Sequence, residues 1–168
     1  MPLRLCLIVL LALHARQVIA QDDPLLPITI QADRATVSES LGRSEYQGNV
    51  IIEQGLLRIT ADQVILMSLD KVLASIQAIS NHGDESKARF EQGATETRPA
   101  IVATAINIEY QMLTETLLLT GSAQLTQGAD TYQGNTLSYN LAEGLFKVES
   151  DGTENNRINL IINPRPKQ

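Results

Sequence analysis

Cysteine is almost missing from this chain: one Cys, at position 6, in 168 residues, with no tryptophan and only 4% aromatic residues. Cys6 falls inside the N-terminal leader described below and has no lipobox of small residues before it, so no lipid anchor is expected there. The chain beyond the leader then has no thiol, which excludes a disulfide framework, thiol nucleophiles and cysteine metal sites. Stability has to come from packing and backbone pairing. Histidine is nearly as scarce. After the leader only His82 remains, in a polar turn, too little for a Ser/His/Asp triad or a multi-histidine metal site. Asp62 and its counterpart Asn135 sit at strand ends, where such side chains bond nearby backbone. No phosphate-binding Gly-rich loop with Lys is found. The expectation is a chain without catalytic residues, metal or cofactor, and not an enzyme.

Long hydrophobic runs are lacking too. Leu5 to Leu13 is the longest apolar stretch, short of the ~20 residues that span a bilayer as a helix. Preceded by Arg4 and followed by Val18-Ile19-Ala20, it reads as a secretory signal over residues 1–20. The mature chain is expected to start near Gln21 and to be exported. Losing Arg4 and Arg16 with the leader leaves 11 Lys and Arg against 19 Asp and Glu, a net charge of −8. Basic clusters and interleaved aromatics are missing, so nucleic acid is excluded as a partner. An anionic lipid would be held by its acyl chains, because the overall field repels its phosphates.

What the chain does have is alternation of apolar and polar residues over short stretches, the period of half-buried strands. Ile28, Ile30 and Ala32 alternate, then Tyr46, Gly48, Val50 and Ile52, then Leu57, Ile59 and Ala61, then Val72, Ala74, Ile76 and Ala78. After polar turns at Ser80 to Ser86 and Gly93 to Pro99 come Ile106, Ile108 and Tyr110, then Leu117 to Leu125. Leu137, Tyr139 and Leu141, Phe146 and Val148, and Ile158, Leu160 and Ile162 complete the series. Many short strands with no helical period beyond the leader define an all-β fold. One domain spans residues 21–162, and residues 163–168, with two prolines, form a loose tail.

The chain also repeats itself. Tyr46-Gln47-Gly48-Asn49 recurs as Tyr132-Gln133-Gly134-Asn135, and Gln-Gly pairs begin at 47, 54, 92, 127 and 133. A better register, offset by 73 residues, lays Gly48 to Gly55 over Gly121 to Gly128, and Ala61-Asp62 over Gly134-Asn135. Gly48, Asn49, Gly55, Asp62, Gly121, Gly128, Gly134 and Asn135 form this repeated motif, a structural one of turns and bulges.

This arrangement resembles the organic-solvent-tolerance/LptA-like repeat of the lipopolysaccharide transport periplasmic proteins, through Ile28 to Asp33, Tyr46 to Gly55, Ile59 to Leu66 and their second copies. The resemblance implies an antiparallel β-jellyroll, open along a seam, with an apolar interior groove for lipid A acyl chains. The inward candidates are Ile28, Ile30, Val50, Ile52, Leu57, Ile59, Val64, Leu66, Ile76, Phe90, Ile106, Ile108, Leu119, Leu125, Leu137, Tyr139, Phe146 and Val148. With two Phe and no Trp to fill it, such an interior is expected to leave room for lipid. The implied role is that of a lipopolysaccharide carrier that bridges the inner and outer membranes during outer-membrane assembly. Implied partners are an LptC-like inner-membrane protein, an LptD-like outer-membrane protein and further copies head to tail. Strand addition at Ile28, Thr29 and Ile30 and at Ile158, Leu160 and Ile162 would join them. The alternative is a periplasmic β-scaffold that binds protein partners by its edge strands, or a carrier of another lipid; read without the resemblance, the apolar faces describe a dry core that needs no ligand.

Overall fold

Alternation at this density leaves the backbone one way to satisfy itself, which is by pairing strand with strand. The computed structural model describes residues 26–150, 152 and 157–164; the leader at 1–20 and most of the tail lie outside them. Among the described residues twelve strands pair antiparallel. They are β1 (Thr29–Gln31), β2 (Arg34–Ser38), β3 (Arg43–Gln54), β4 (Leu57–Leu69), β5 (Val72–Ile79), β6 (Ala88–Gln92), β7 (Ile101–Ala105), β8 (Asn107–Gln111), β9 (Thr116–Gln127), β10 (Asp130–Asn140), β11 (Leu145–Glu149) and β12 (Asn159–Ile161).

Four of these, β3, β4, β9 and β10, run 11 to 13 residues, longer than the alternation alone suggests. Each changes partners partway along. β4 pairs with β6 through Leu57 to Thr60 and with β5 from Gln63 onward; β9 pairs with β8 up to Thr120 and with β7 from Gln124. The sheet therefore divides into two layers that share the long strands. One runs β2-β3-β4-β5-β8-β9-β10-β11 and the other β1-β3-β4-β6-β7-β9-β10-β12. Their apolar faces meet, as Phe90 of the second layer and Tyr110 of the first do, edge to face at 5.3 Å. The result is a bent, jellyroll-like sandwich.

Bulges make the bend. Register slips between Gln47 and Val50 in β3 and between Gly134 and Thr136 in β10. Gly48 (φ 81°) and Asn49 (φ 47°) match Gly121 (φ 82°) and Ser122 (φ 47°) almost degree for degree. The 73-residue offset is thus the structural repeat: β2, β3 and the start of β4 superpose in sequence on β8, β9 and the start of β10. The repeated Tyr-Gln-Gly-Asn words are not structural equivalents: Gly48-Asn49 form the bulge of β3, whereas Gly134-Asn135 lie in β10 across from the Gly121-Ser122 bulge of β9.

Two expectations need correcting. Val72 is 60% exposed, because the register slips beyond Met67 and turns Leu73 toward the core in its place. The interior is not left roomy by its small aromatic content. Phe90, Ala103, Ala105, Leu119, Leu125 and Leu137 are all 0% exposed, so no water-sized gap borders them. Small alanines, Ala78, Ala88, Ala103 and Ala105, are buried among the larger side chains of the core.

Candidate functional site

Antiparallel register lines inward residues into rows that cross the strands, and here the rows are continuous. In the second layer Ile30, Ile52, Ile59, Phe90, Ala103, Leu125, Tyr132 and Leu160 pair in unbroken succession from β1 to β12. In the first layer Ala35, Tyr46, Val64, Ala78, Ile108, Leu119, Leu137 and Val148 do the same from β2 to β11. Eight strands at ~4.8 Å spacing give a path roughly 34 Å long, apolar throughout.

Most of the inward candidates lie in or beside these rows and belong to the buried core: Val50, Ile52, Leu57, Ile59, Val64, Leu66, Ile76, Phe90, Ile108, Leu119, Leu125, Leu137 and Tyr139. Ile28, Ile30, Phe146 and Val148 are partly buried at the two ends, packed against that core. Ile106 is apart from them. It sits in the crossing between β7 and β8, half-buried, with its side chain filling the space that a Cβ on Gly121 would take.

Opposite the bend, the layers' free rims face each other and are tied in the C-terminal half. Arg98, in the loop from β6 to β7, donates to the Leu141 carbonyl at 3.4 Å and lies 3.6 Å from the Glu115 carboxylate. Gln127 Nε2 donates to the Tyr139 hydroxyl at 2.9 Å. Burial pushes the Tyr139 phenol above its ordinary value, against the opposing pull of that hydrogen bond and of the Arg98 charge. These are ties between layers that sequence alternation could not reveal.

At the bend, Asp62 accepts the Asn81 backbone N–H at 2.7 Å and lies 3.0 Å from His82 Nδ1. The Asn81 N–H, with help from His82, holds the carboxyl below its ordinary value despite some desolvation. The nearby Ser80 hydroxyl donates to the Gly83 and Ser86 carbonyls. The cluster ties the β5–β6 loop to β4 where that strand changes partners. Among the described residues no group of three His, Cys, Asp or Glu side chains could hold a metal ion.

The ends of the rows are open edges. β1 and β2 begin the two layers and β12 and β11 end them. Ile158, Leu160 and Ile162 are 45%, 48% and 66% exposed, whereas Phe90, which pairs with Ile59 as Leu160 pairs with its repeat counterpart Tyr132, is 0% exposed and covered at its edge by β7. Ile161 and Val37, also exposed on edge strands, were not singled out by the sequence, since a single edge residue has no signature of its own.

A bent antiparallel jellyroll built from a tandem repeat, apolar inside and unpaired at both ends, defines a class of β protein by its geometry. The chain belongs to the family described as LptA/(LptD N-terminal domain) LPS transport protein, whose model matches residues 29–145. It is 25% identical over 146 residues to the lipopolysaccharide export system protein LptH of Pseudomonas aeruginosa, covering 84% of this chain and 81% of that one. The export system protein LptA of Escherichia coli K12 is 25% identical over 142 residues, with 84% and 74% covered. The crystal structure of P. aeruginosa LptH, the LptA homologous periplasmic component of a lipopolysaccharide transport device, has the same fold. Its TM-score is 0.72 at 23% identity, covering 83% of this chain and 96% of that one.

Proposed function

We propose that this chain is a periplasmic carrier of lipopolysaccharide, holding the lipid's acyl chains between its layers and passing them from module to module toward the outer membrane. On this reading residues 1–20 are a cleaved leader, 21–162 the carrier and 163–168 a tail. The observation that supports it is the continuity of the apolar rows from one open edge to the other. Each buried CH₂ is worth about 0.8 kcal/mol. Parting the layers exposes apolar surface that acyl chains then cover, so uptake exchanges like contact for like and leaves no deep well along the path. Direction has to be supplied by another component.

The joint between modules follows from the joint within this one. β7 adds to β6 and β8 adds to β5, both antiparallel. By the same repeat, β1 and β2 of a second copy would add to β12 and β11 of the first. LptC-like and LptD-like proteins are the partners expected at the two ends of such a row.

The test is photo-crosslinking in cells, with the reactive residue placed at Ile52, Ile59 or Phe90 inside and at Gln47 or Arg58 outside. Lipopolysaccharide adducts are expected from the inner set and few from the outer. Equal labelling of both faces would refute an interior path and favour a scaffold that binds proteins by its edges alone.

A further inference from the structure

The inward row nearest the rim of the second layer differs from the apolar row beneath it. Gln54, Leu57, Gln92, Ile101 and Gln127 pair in direct succession across β3, β4, β6, β7 and β9, so a glutamine occupies every second strand. Each of the three opens a Gln-Gly pair, the glutamine ending its strand on the inner face and the glycine beginning the turn. Gln54 Nε2 donates to the Leu26 carbonyl at 3.0 Å and Gln127 Nε2 to the Tyr139 hydroxyl. Gln92 differs: it is 7% exposed, and its Nε2 is the one buried side-chain nitrogen or oxygen among the described residues without a hydrogen-bond partner. A buried donor left unsatisfied is destabilising, and such groups in a native fold call for an explanation.

We propose that Gln92 is a hydrogen-bonding subsite for the acyl linkage of the bound lipid, donating to the ester or amide carbonyl that joins a fatty chain to its sugar. This deepens the carrier reading and rests on it. The chemistry selects the linkage over the rest of such a lipid. A phosphate would need cations, and none is in this row; a sugar hydroxyl keeps its water outside the rim. The linkage carbonyl is the polar group that lies one step above hydrocarbon. Gln92 lies one step above Phe90, with Leu57 and Ile101 on either side. Gln54 and Gln127, two strands away on each side, mark the same depth, so a chain held at this rung keeps its linkage at the rim while its tail crosses the apolar row.

The experiment compares two neutral probes that differ by one carbonyl, tetradecanoyl glucose ester and tetradecyl glucose ether. Each competes with a fluorescent fatty-acyl reporter on the full mature chain and on Gln92→Leu. The wild type should prefer the ester by about fivefold to tenfold, as one neutral hydrogen bond allows. Gln92→Leu should bind the two alike while melting higher when unliganded. Should leucine not be accommodated, Gln92→Met keeps the length without the donor. Equal binding of the probes by the wild type, or an ester preference that survives in the variant, overturns the subsite and leaves the carrier standing. Failure of both probes to displace the reporter from the wild type would sink the subsite and the carrier together.

Discussion

At the scale of single residues, glycine and carboxylate positions have separable physical roles. Gly121 combines a left-handed backbone (φ 82°) with a close approach, since a Cβ there would lie 2.9 Å from Ile106 Cδ1. Gly144 has φ 65° and open space around it. Gly121→Ala should therefore cost more than Gly144→Ala, about 1–3 kcal/mol for strain plus the displacement of Ile106. Thermal unfolding of the two variants side by side measures the difference, and equal melting temperatures would mean that Ile106 yields freely. Asp62 titrates below its ordinary 3.8. A depressed carboxyl contributes stability above its unfolded value and loses it as pH falls through the folded one. Wild type should thus exceed Asp62→Asn in stability at neutral pH, the gap starting to narrow below about pH 4 and closing only once pH passes below the lowered folded value; a gap that does not narrow in acid would contradict the ionic part of the clasp. Asn135, the natural counterpart in the second repeat, suggests that a neutral side chain is tolerated at this bend.

At the scale of elements, the repeat predicts a register for the joint between copies. Phe90 opposes Ala103, Ala78 opposes Ile108 and Ile76 opposes Tyr110 within the chain. Carried through the repeat, these place Leu160 opposite Ile30 of the next copy, Val148 opposite Ala35 and Phe146 opposite Val37, so that every apolar row runs on without a step. Because the chain has no cysteine beyond Cys6, the double variant Ile30→Cys with Leu160→Cys, made from residue 21 onward, should form disulfide-linked chains on mild oxidation. Directly opposed strand residues fall within the Cα separation that a disulfide accepts. Ile30→Cys with Ile158→Cys, displaced along the strand, should link poorly, and the reverse ranking on a non-reducing gel would rule this register out. Much of this was legible in the sequence. Alternation gave the inner face of most strands, and the offset of 73 gave the repeat. What stayed hidden has a common cause: a bulge breaks the period of two that alternation relies on. The slip after Met67 hid the outward turn of Val72, and the one-residue phase of Ile106 concealed that it plugs a bend. The Gln-Gly pairs at 54, 92 and 127 were visible, yet a glutamine before a turn reads as solvent-facing until pairing shows it on the apolar side.

At the scale of the whole molecule, the proposed carrier role requires an interior filled by its own side chains to open, and the ties across its rims would set how readily. Arg98 is the only side chain in those ties to carry a charge across the mouth to a carboxylate, Glu115, among the contacts described. Both members are partly exposed, so screening keeps the pair weak, on the order of 0.2–1 kcal/mol. A tie that weak suits the mouth that the proposed lipid uptake requires. Arg98→Gln should accelerate uptake of a fluorescent acyl probe by about twofold to fivefold, the range that such a pair supports, with little change in melting temperature. Salt should accelerate the wild type in the same way as the Debye length contracts, and should do so less in the variant. Stopped-flow mixing at low and high salt separates this from a general loosening, which would speed both proteins equally. If the variant takes up lipid no faster and salt has no effect, the mouth does not open at Arg98, and the acyl chains must pass through the open edges at β1–β2 or β11–β12 instead.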